Sequence, residues 1–259
     1  MNKILLATCA FVCLFSRVTF GSDEFIDLRT FLKERTQQYP LIKGQKIYLN
    51  TAPRTGSTLV YNILRFLFEN KNHADWSRNF SNIVIKDHSI VTFKVKRIYV
   101  YTLRNPIDAV MSGYRMRCSL EQKVVPFEVL NEIIQEQVNA FKYLEELTLK
   151  KMNVIQLRYE DFVDDFDVIF KALETHFQFS IDKRDKEYLK KALSQENVIK
   201  NIERFDSFSQ YDNISLFHGR HINLGEFSAD FNEMLKAEVV LRLSKYFDFF
   251  KKWDYSISL

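Results

Sequence analysis

A chain of 259 residues with a formal net charge of +4 lies within the size range of a single α/β domain, and no linker-like tract divides it. Hydrophobic residues make up 46% of the sequence, which provides for a full core and excludes an intrinsically disordered chain. Its 33 acidic residues are interspersed among 37 basic ones, so we expect no nucleic-acid partner, because duplex binding needs a long patch of one sign.

The N-terminus has the order of a signal peptide. A basic residue precedes an apolar run over residues 4–15, which is shorter than the ~20 residues that span a bilayer, and small residues suit cleavage after Gly21. We therefore expect residues 1–21 to be a signal peptide and residues 22–259 to form one domain that enters the secretory pathway, in a Golgi lumen or as a secreted protein. The alternative is an uncleaved N-terminal helix of a cytoplasmic protein.

Beyond this segment, short β-branched and aromatic runs alternate with longer helical patterns. Mostly apolar runs are typical of buried parallel strands, and alternation with helices is typical of a parallel sheet. The predicted strands are 46–51, 83–86, 97–103 and 153–158, and the predicted helices are 58–70, 106–117, 127–150, 164–177, 185–202 and 232–250. The pattern predicts a three-layer αβα sandwich with a central parallel sheet and a helical C-terminal half.

The first predicted strand passes directly into a helix through the segment 51–58, TAPRTGST. Backbone N–H groups at such a helix start lack partners within the helix and carry the positive end of its dipole, so the turn predicts a phosphate cradle. Gly56 allows close approach, and Ser57 and Thr58 add hydroxyl donors. A Walker A loop would need lysine directly after Gly56, so ATP or GTP hydrolysis is disfavoured. The plain alternative is a capped helix after a tight turn.

A second anion site is predicted at the end of the strand 97–103. Arg104 follows that strand, Pro106 begins a helix, and Ser112 lies two turns later near Arg115. A guanidinium fork with a hydroxyl beside it binds anions. Two anion sites at neighbouring strand ends suit a nucleotide that carries phosphates at both its 5′ and 3′ positions.

Together these segments resemble the P-loop sulfotransferases that use 3′-phosphoadenosine-5′-phosphosulfate (PAPS). The segment 51–59, TAPRTGSTL, looks like the family's 5′-phosphosulfate loop, and the segment 104–115, RNPIDAVMSGYR, looks like its 3′-phosphate segment. Shorter similarities are IKDH at 85–88, YED at 159–161 and the C-terminal loop 220–231, so the resemblance covers about residues 46–231.

The resemblance implies a P-loop-containing nucleotide-binding fold and an enzyme that moves the sulfuryl group of PAPS to an acceptor hydroxyl or amine, without a metal ion. The acceptor would be a small molecule, a glycan or a peptide. His88 is the candidate general base, because an imidazole with a pKa of about 6.5 can accept the acceptor's proton. Lys86 and Arg54 would neutralise developing charge. The nucleotide-binding residues implied are Arg54, Thr55, Gly56, Ser57, Thr58, Arg104, Ser112, Tyr159, Arg220 and His221.

The sequence also departs from the family pattern. Arg54 replaces the lysine that is usual in cytosolic members, Leu59 replaces a tryptophan that often flanks the adenine, and Phe227 stands near another expected tryptophan. The stretch between Thr58 and Lys86 is shorter than in cytosolic members, which build part of the acceptor pocket there. The resemblance therefore does not identify the acceptor.

Two other functions fit the same motifs. A P-loop kinase would also bind a nucleotide here, although the Walker lysine is missing. A non-catalytic binding module would keep the fold without turnover, although His88, Lys86, Arg104 and Ser112 are all present. The acidic segment 159–161 also has a purely structural interpretation, as a strand end followed by the acids that a helix start favours.

Overall fold

The structure is a computed structural model that describes residues 25–37, 39–41, 45–69, 83–87, 97–219 and 227–257. The predicted signal peptide, the candidate base His88 and the candidate nucleotide-binding residues Arg220 and His221 lie outside the described residues. None of the described helices has the length and apolar character that crossing a membrane requires.

Four parallel strands form the sheet of the described chain, in the spatial order β2-β1-β3-β4. They are β1 Lys46–Asn50, β2 Val84–Asp87, β3 Arg97–Leu103 and β4 Asn153–Arg158. The prediction of a central parallel sheet is confirmed. Because all four strands run in one direction, their carboxyl ends meet at one edge of the sheet, and the segments that follow them are neighbours there.

Helices follow β1, β3 and β4 along the chain. Those of the described residues are α1 Ser57–Phe68, α2 Pro106–Glu121, α3 Val129–Leu149, α4 Tyr159–Phe162, α5 Asp167–Phe177, α6 Lys183–Ala192, α7 Gln195–Ile202, α8 Ala229–Leu243 and α9 Phe247–Lys251. The prediction of a helical C-terminal half is confirmed.

The two faces of the sheet support separate hydrophobic clusters. Strand side chains alternate between faces, so Leu49 and Val100 pack with α1, α5, α6 and α7, whereas Tyr99 and Tyr101 pack with α2, α3, α8 and α9. All four of these side chains are at most 1% exposed. Helices on both faces make the three layers that the sequence predicts.

Two of the predicted helices are interrupted. The helix predicted over 185–202 is two helices, because the Ser194 side chain accepts a hydrogen bond from the Asn197 N–H and caps the start of α7. The helix predicted over 232–250 passes through a 3₁₀ turn at Ser244–Tyr246, where the Ser244 hydroxyl donates to the Leu241 carbonyl. In both places a serine side chain forms a hydrogen bond with a backbone group at the break, an N–H for Ser194 and a carbonyl for Ser244.

The segment before β1 contacts the C-terminal end of α1 through Arg35. Arg35, which is 2% exposed, donates through Nη1 to the carbonyls of Phe66 and Leu67 at 2.9 and 2.8 Å, in the last turn of α1. A cation at this end of the helix complements its dipole and satisfies carbonyls that lack helical partners. Arg35 thereby fixes the C-terminal end of α1.

Candidate functional site

The β1–α1 loop has a backbone that turns sharply twice. Gly56 has φ +79° and Arg54 has φ +67°, both in the left-handed region. A Cβ at Gly56 would lie 2.7 Å from Tyr159 Cδ2 and 2.8 Å from Phe162 Cζ, so the loop packs directly beneath α4. Glycine is required there by both conformation and space, whereas the left-handed backbone costs Arg54 roughly 1 kcal/mol or more.

A cluster of buried threonine hydroxyls fixes this loop to the end of β3. The Thr55 and Thr102 hydroxyls lie 2.6 Å apart, the Thr51 and Thr102 hydroxyls 2.8 Å apart, and Thr55 also donates to the Ala52 carbonyl at 2.8 Å. All three threonines are at most 2% exposed. Sequence reasoning assigned Thr55 to the site but missed Thr102, whose only signal is a polar residue near the end of an otherwise apolar strand.

The structure brings Arg54, Ser112, Arg104 and Tyr159 together at the carboxyl edge of the sheet. Arg54 donates through Nε to the Ser112 hydroxyl at 2.9 Å. Arg104 donates through Nη1 to the Arg54 carbonyl at 3.1 Å, and its guanidinium carbon lies 4.3 Å from the centre of the Tyr159 ring. The sequence predicts that Arg104 and Ser112 act as a pair, whereas the hydrogen bonds connect both of them to Arg54.

Positive charge accumulates around Arg104. Burial and the neighbouring Arg104 lower the pKa of Arg54 to about 10. Burial and Arg104 also lower the pKa of Arg115. Among the described residues, neither Arg104 nor Arg115 forms an ion pair with a carboxylate, and the buried Nε of Arg104 has no hydrogen-bond acceptor. A bound anion would offset this repulsion and supply the missing acceptor.

Lys86 joins the other side of the loop. Lys86 pairs in register with Leu49 of β1, near the carboxyl ends of both strands, and its ammonium group donates to the Thr58 hydroxyl at 2.7 Å. Ser57 and Thr58 form the buried first turn of α1, where backbone N–H groups lack helical acceptors. The helix start therefore combines a positive dipole end, two hydroxyls and a lysine.

The segment 159–161 holds Arg104 in place through its neighbour Asn105. The Asn105 N–H donates to Glu160 Oε1 at 2.6 Å, and the Asn105 side chain caps α2 by accepting from the Ile107 N–H at 2.9 Å. The Tyr255 hydroxyl donates to Glu160 Oε2 at 3.3 Å. The sequence predicts a structural role for this segment, with Tyr159 also a candidate nucleotide-binding residue. The contacts of Glu160 show that the segment supports the turn that bears Arg104.

An aromatic stack lies against Arg54. The Phe208 ring centre is 5.7 Å from the Arg54 guanidinium carbon, and the rings of Phe208 and His218 are stacked at 4.4 Å with an interplanar angle of 4°. His218 Nδ1 lies 2.8 Å from the Phe208 carbonyl, which orients the imidazole. Nothing in the sequence distinguishes Phe208 from core phenylalanines, so this contact could not be predicted.

The remaining candidate residues are not described. His88 follows β2 and comes two residues after Lys86, while Arg220 and His221 follow Gly219, so their predicted roles remain predictions. In the described part of the chain, no group of three or more His, Cys, Asp or Glu side chains is arranged to hold a metal ion.

No protein-family model and no curated protein matches the chain. Among solved structures, mouse sulfotransferase SULT7A1 complexed with PAP is similar at 14% identity and a TM-score of 0.49, covering 88% of this chain and 92% of that one. The sulfotransferase domain of the Synechococcus PCC 7002 olefin synthase is similar at 15% identity and a TM-score of 0.39, covering 78% of this chain and 95% of that one. Both of these proteins are sulfotransferases by name.

Proposed function

We propose that the protein is a sulfotransferase that takes the sulfuryl group from PAPS. The observation that carries the proposal is the pair of hydrogen bonds that join Arg54 to Ser112 and Arg104 to Arg54, beside the start of α1. Bringing two guanidinium groups together costs free energy unless an anion lies between or beside them. A ligand with anionic groups at two separate positions would interact with both the helix start and the Arg104 corner.

The described residues fit a nucleotide with a 5′-phosphosulfate and a 3′-phosphate. The 5′ group would lie at the first turn of α1, where Ser57, Thr58 and Lys86 offer donors. The 3′-phosphate would bind Arg104 and Ser112, and the buried Arg104 Nε that lacks an acceptor supports this placement.

The reaction we propose is an in-line displacement at sulfur. The acceptor oxygen forms a bond to sulfur while the bond from sulfur to the bridging phosphate oxygen breaks, and the departing 3′,5′-bisphosphoadenosine (PAP) keeps that electron pair. The acceptor's proton passes to a base, which we propose is the neutral imidazole of His88. Arg54 and Lys86 would offset the charge that grows on the sulfuryl and bridging oxygens. No step of this scheme needs a metal ion.

We also propose that residues 1–21 direct the protein into the secretory pathway, where it would act on a small-molecule, glycan or peptide acceptor in a compartment supplied with PAPS. A cytoplasmic enzyme with an uncleaved N-terminus is the alternative. The order of a basic start, an apolar run and small residues near Gly21 supports the first location.

The proposed function is tested first by measuring nucleotide binding and then by measuring sulfuryl transfer. Isothermal titration calorimetry with PAP, and with ATP and magnesium, compares the proposed ligand with that of a kinase. We expect PAP to bind and to raise the melting temperature without added metal. If ATP with magnesium raises the melting temperature and PAP does not, the protein would be a kinase and not a sulfotransferase. Binding of PAP without sulfuryl transfer to any member of a panel of phenols, glycans, lipids and tyrosine peptides would favour a non-catalytic module.

A further inference from the structure

A cavity of about 210 Å³ lies on the α3 side of the β1–α1 loop. The loop residues 51–53 and the buried Tyr101 form part of its wall, and α3 contributes Glu136, Asn139 and Ala140. The cavity and the proposed phosphosulfate cradle therefore share the same loop. Any molecule in the cavity would lie next to Pro53, which directly precedes Arg54.

The size of the cavity limits what it can hold. Sites for drug-sized ligands typically measure about 300–1,000 Å³. At about 210 Å³, this cavity has room for one ring, or for the end of a larger molecule whose remainder stays outside. A fused four-ring system such as a steroid would not fit within the walls that the structure describes.

The walls of the cavity combine an apolar floor with a polar rim. The Tyr101 hydroxyl is already engaged, because it donates to the Ala140 carbonyl at 2.6 Å, so this residue offers mainly its ring. Among the described residues, the rim carboxylate of Glu136 makes no hydrogen bond or ion pair, and the Asn139 amide nitrogen has no acceptor. Both groups remain available to a ligand.

The charge at the rim selects against anions. Partial burial raises the pKa of Glu136, Arg117 opposes that rise, and Glu132 adds to it. The Glu136 carboxylate, which lines the cavity, would repel an anionic ring, whereas an ammonium or hydroxyl group would donate to it. Hydroxyl groups would also pair with the Asn139 amide, while the C–H face of a sugar ring would lie on the apolar floor.

We propose that this cavity binds the acceptor and that the acceptor presents a single hydroxylated, pyranose-sized ring that is neutral or bears an amine, rather than a carboxylated or already sulfated one. The proposal rests on the proposed function only in naming the ring an acceptor, because its binding to the cavity is independent of PAPS. Transfer to a ring hydroxyl would give a sulfate ester and release PAP.

The test uses three monosaccharide probes that differ in charge: D-glucosamine, methyl α-D-glucoside and D-glucuronate. Saturation-transfer NMR titrations of the whole protein give the affinity of each. We expect glucosamine and the glucoside to bind, and glucuronate to bind at least tenfold more weakly. Glu136→Gln should lower glucosamine affinity about tenfold, which is the lower end of what a charge-assisted hydrogen bond contributes, and should narrow the discrimination against glucuronate.

Two further variants complete the design. Glu146→Gln removes the same charge from an exposed residue of α3 that does not line the cavity, and it should leave all three affinities unchanged. Ala140→Leu narrows the cavity and should abolish binding of every probe. PAP affinity, measured by calorimetry on the same samples, should be unchanged in all three variants.

Equal binding of glucuronate and glucosamine, or an unchanged preference in Glu136→Gln, would overturn the charge selection. Full probe binding by a folded Ala140→Leu protein, or preferential binding of 4-nitrophenol as a fourth probe, would overturn the assignment of a sugar-sized ring to this cavity. Failure of PAP to bind the unaltered protein would refute the proposed function while leaving the probe measurements to decide the cavity.

Discussion

Arg104→Ala isolates the predicted 3′-phosphate contact. The substitution removes the hydrogen bond to the Arg54 carbonyl, the stacking on Tyr159 and the guanidinium whose buried Nε lacks an acceptor in the described structure. A hydrogen bond involving a charged group contributes about 1.5–3 kcal/mol. PAP affinity should therefore fall by about 10- to 150-fold. Adenosine-5′-phosphosulfate lacks the 3′-phosphate, so its affinity should remain nearly unchanged.

Isothermal titration calorimetry with both ligands measures the difference directly. Arg184→Ala removes the same charge from an exposed position on α6 and serves as the control, with neither affinity expected to change. Arg104→Lys keeps the charge but loses the planar fork, so PAP affinity should be intermediate. Equal losses for the two ligands in Arg104→Ala would refute the reasoning, because Arg104 would then act on the loop or the fold and not on a 3′-phosphate.

Three further predictions address the base, the loop and the N-terminus. His88→Ala or His88→Asn should lower turnover by about 10²–10⁴-fold while PAP affinity and melting temperature stay nearly constant, and a variant that keeps more than about a tenth of the activity would exclude His88 as the base. Turnover of the unaltered enzyme should also fall as pH drops through the His88 pKa, because only the neutral imidazole accepts a proton. Gly56→Ala should lower the free energy of unfolding by about 2–4 kcal/mol, since it strains a left-handed backbone and overlaps Tyr159 and Phe162, and chemical denaturation that finds no loss would contradict the packing. N-terminal sequencing of protein from its native secretory route should find a chain that begins at Ser22, whereas a chain that still begins at Met1 would favour the cytoplasmic alternative.

The sheet was predictable because its strands have a strong local signal. The strand predicted over 97–103 matches β3 at both ends, and α2 begins at Pro106 as predicted, since proline suits the first position of a helix. The break between α6 and α7 was not predictable in the same way. Ser194 lies within a pattern that is helical on both sides, and only the cap that it forms shows that the chain stops there.

Residues of the candidate loop were predictable, but the contacts among them were not. A strand, a loop with Gly56 and a helix start are close in sequence, so the phosphate cradle could be read from the chain. The hydrogen bond from Arg54 to Ser112 joins residues 58 positions apart, and that from the Asn105 N–H to Glu160 joins residues 55 apart. Such pairs depend on the order of strands in the sheet, which composition and periodicity do not specify.

Incubation of the purified protein with radiolabelled PAPS and the acceptor panel tests the central claim most directly. The proposed mechanism predicts labelled product and an equal amount of PAP, formed without added metal by the unaltered enzyme and at a much lower rate by Arg104→Ala at subsaturating PAPS. Label that stays on PAPS with every acceptor, in a protein that PAP does not stabilise but ATP with magnesium does, would contradict it.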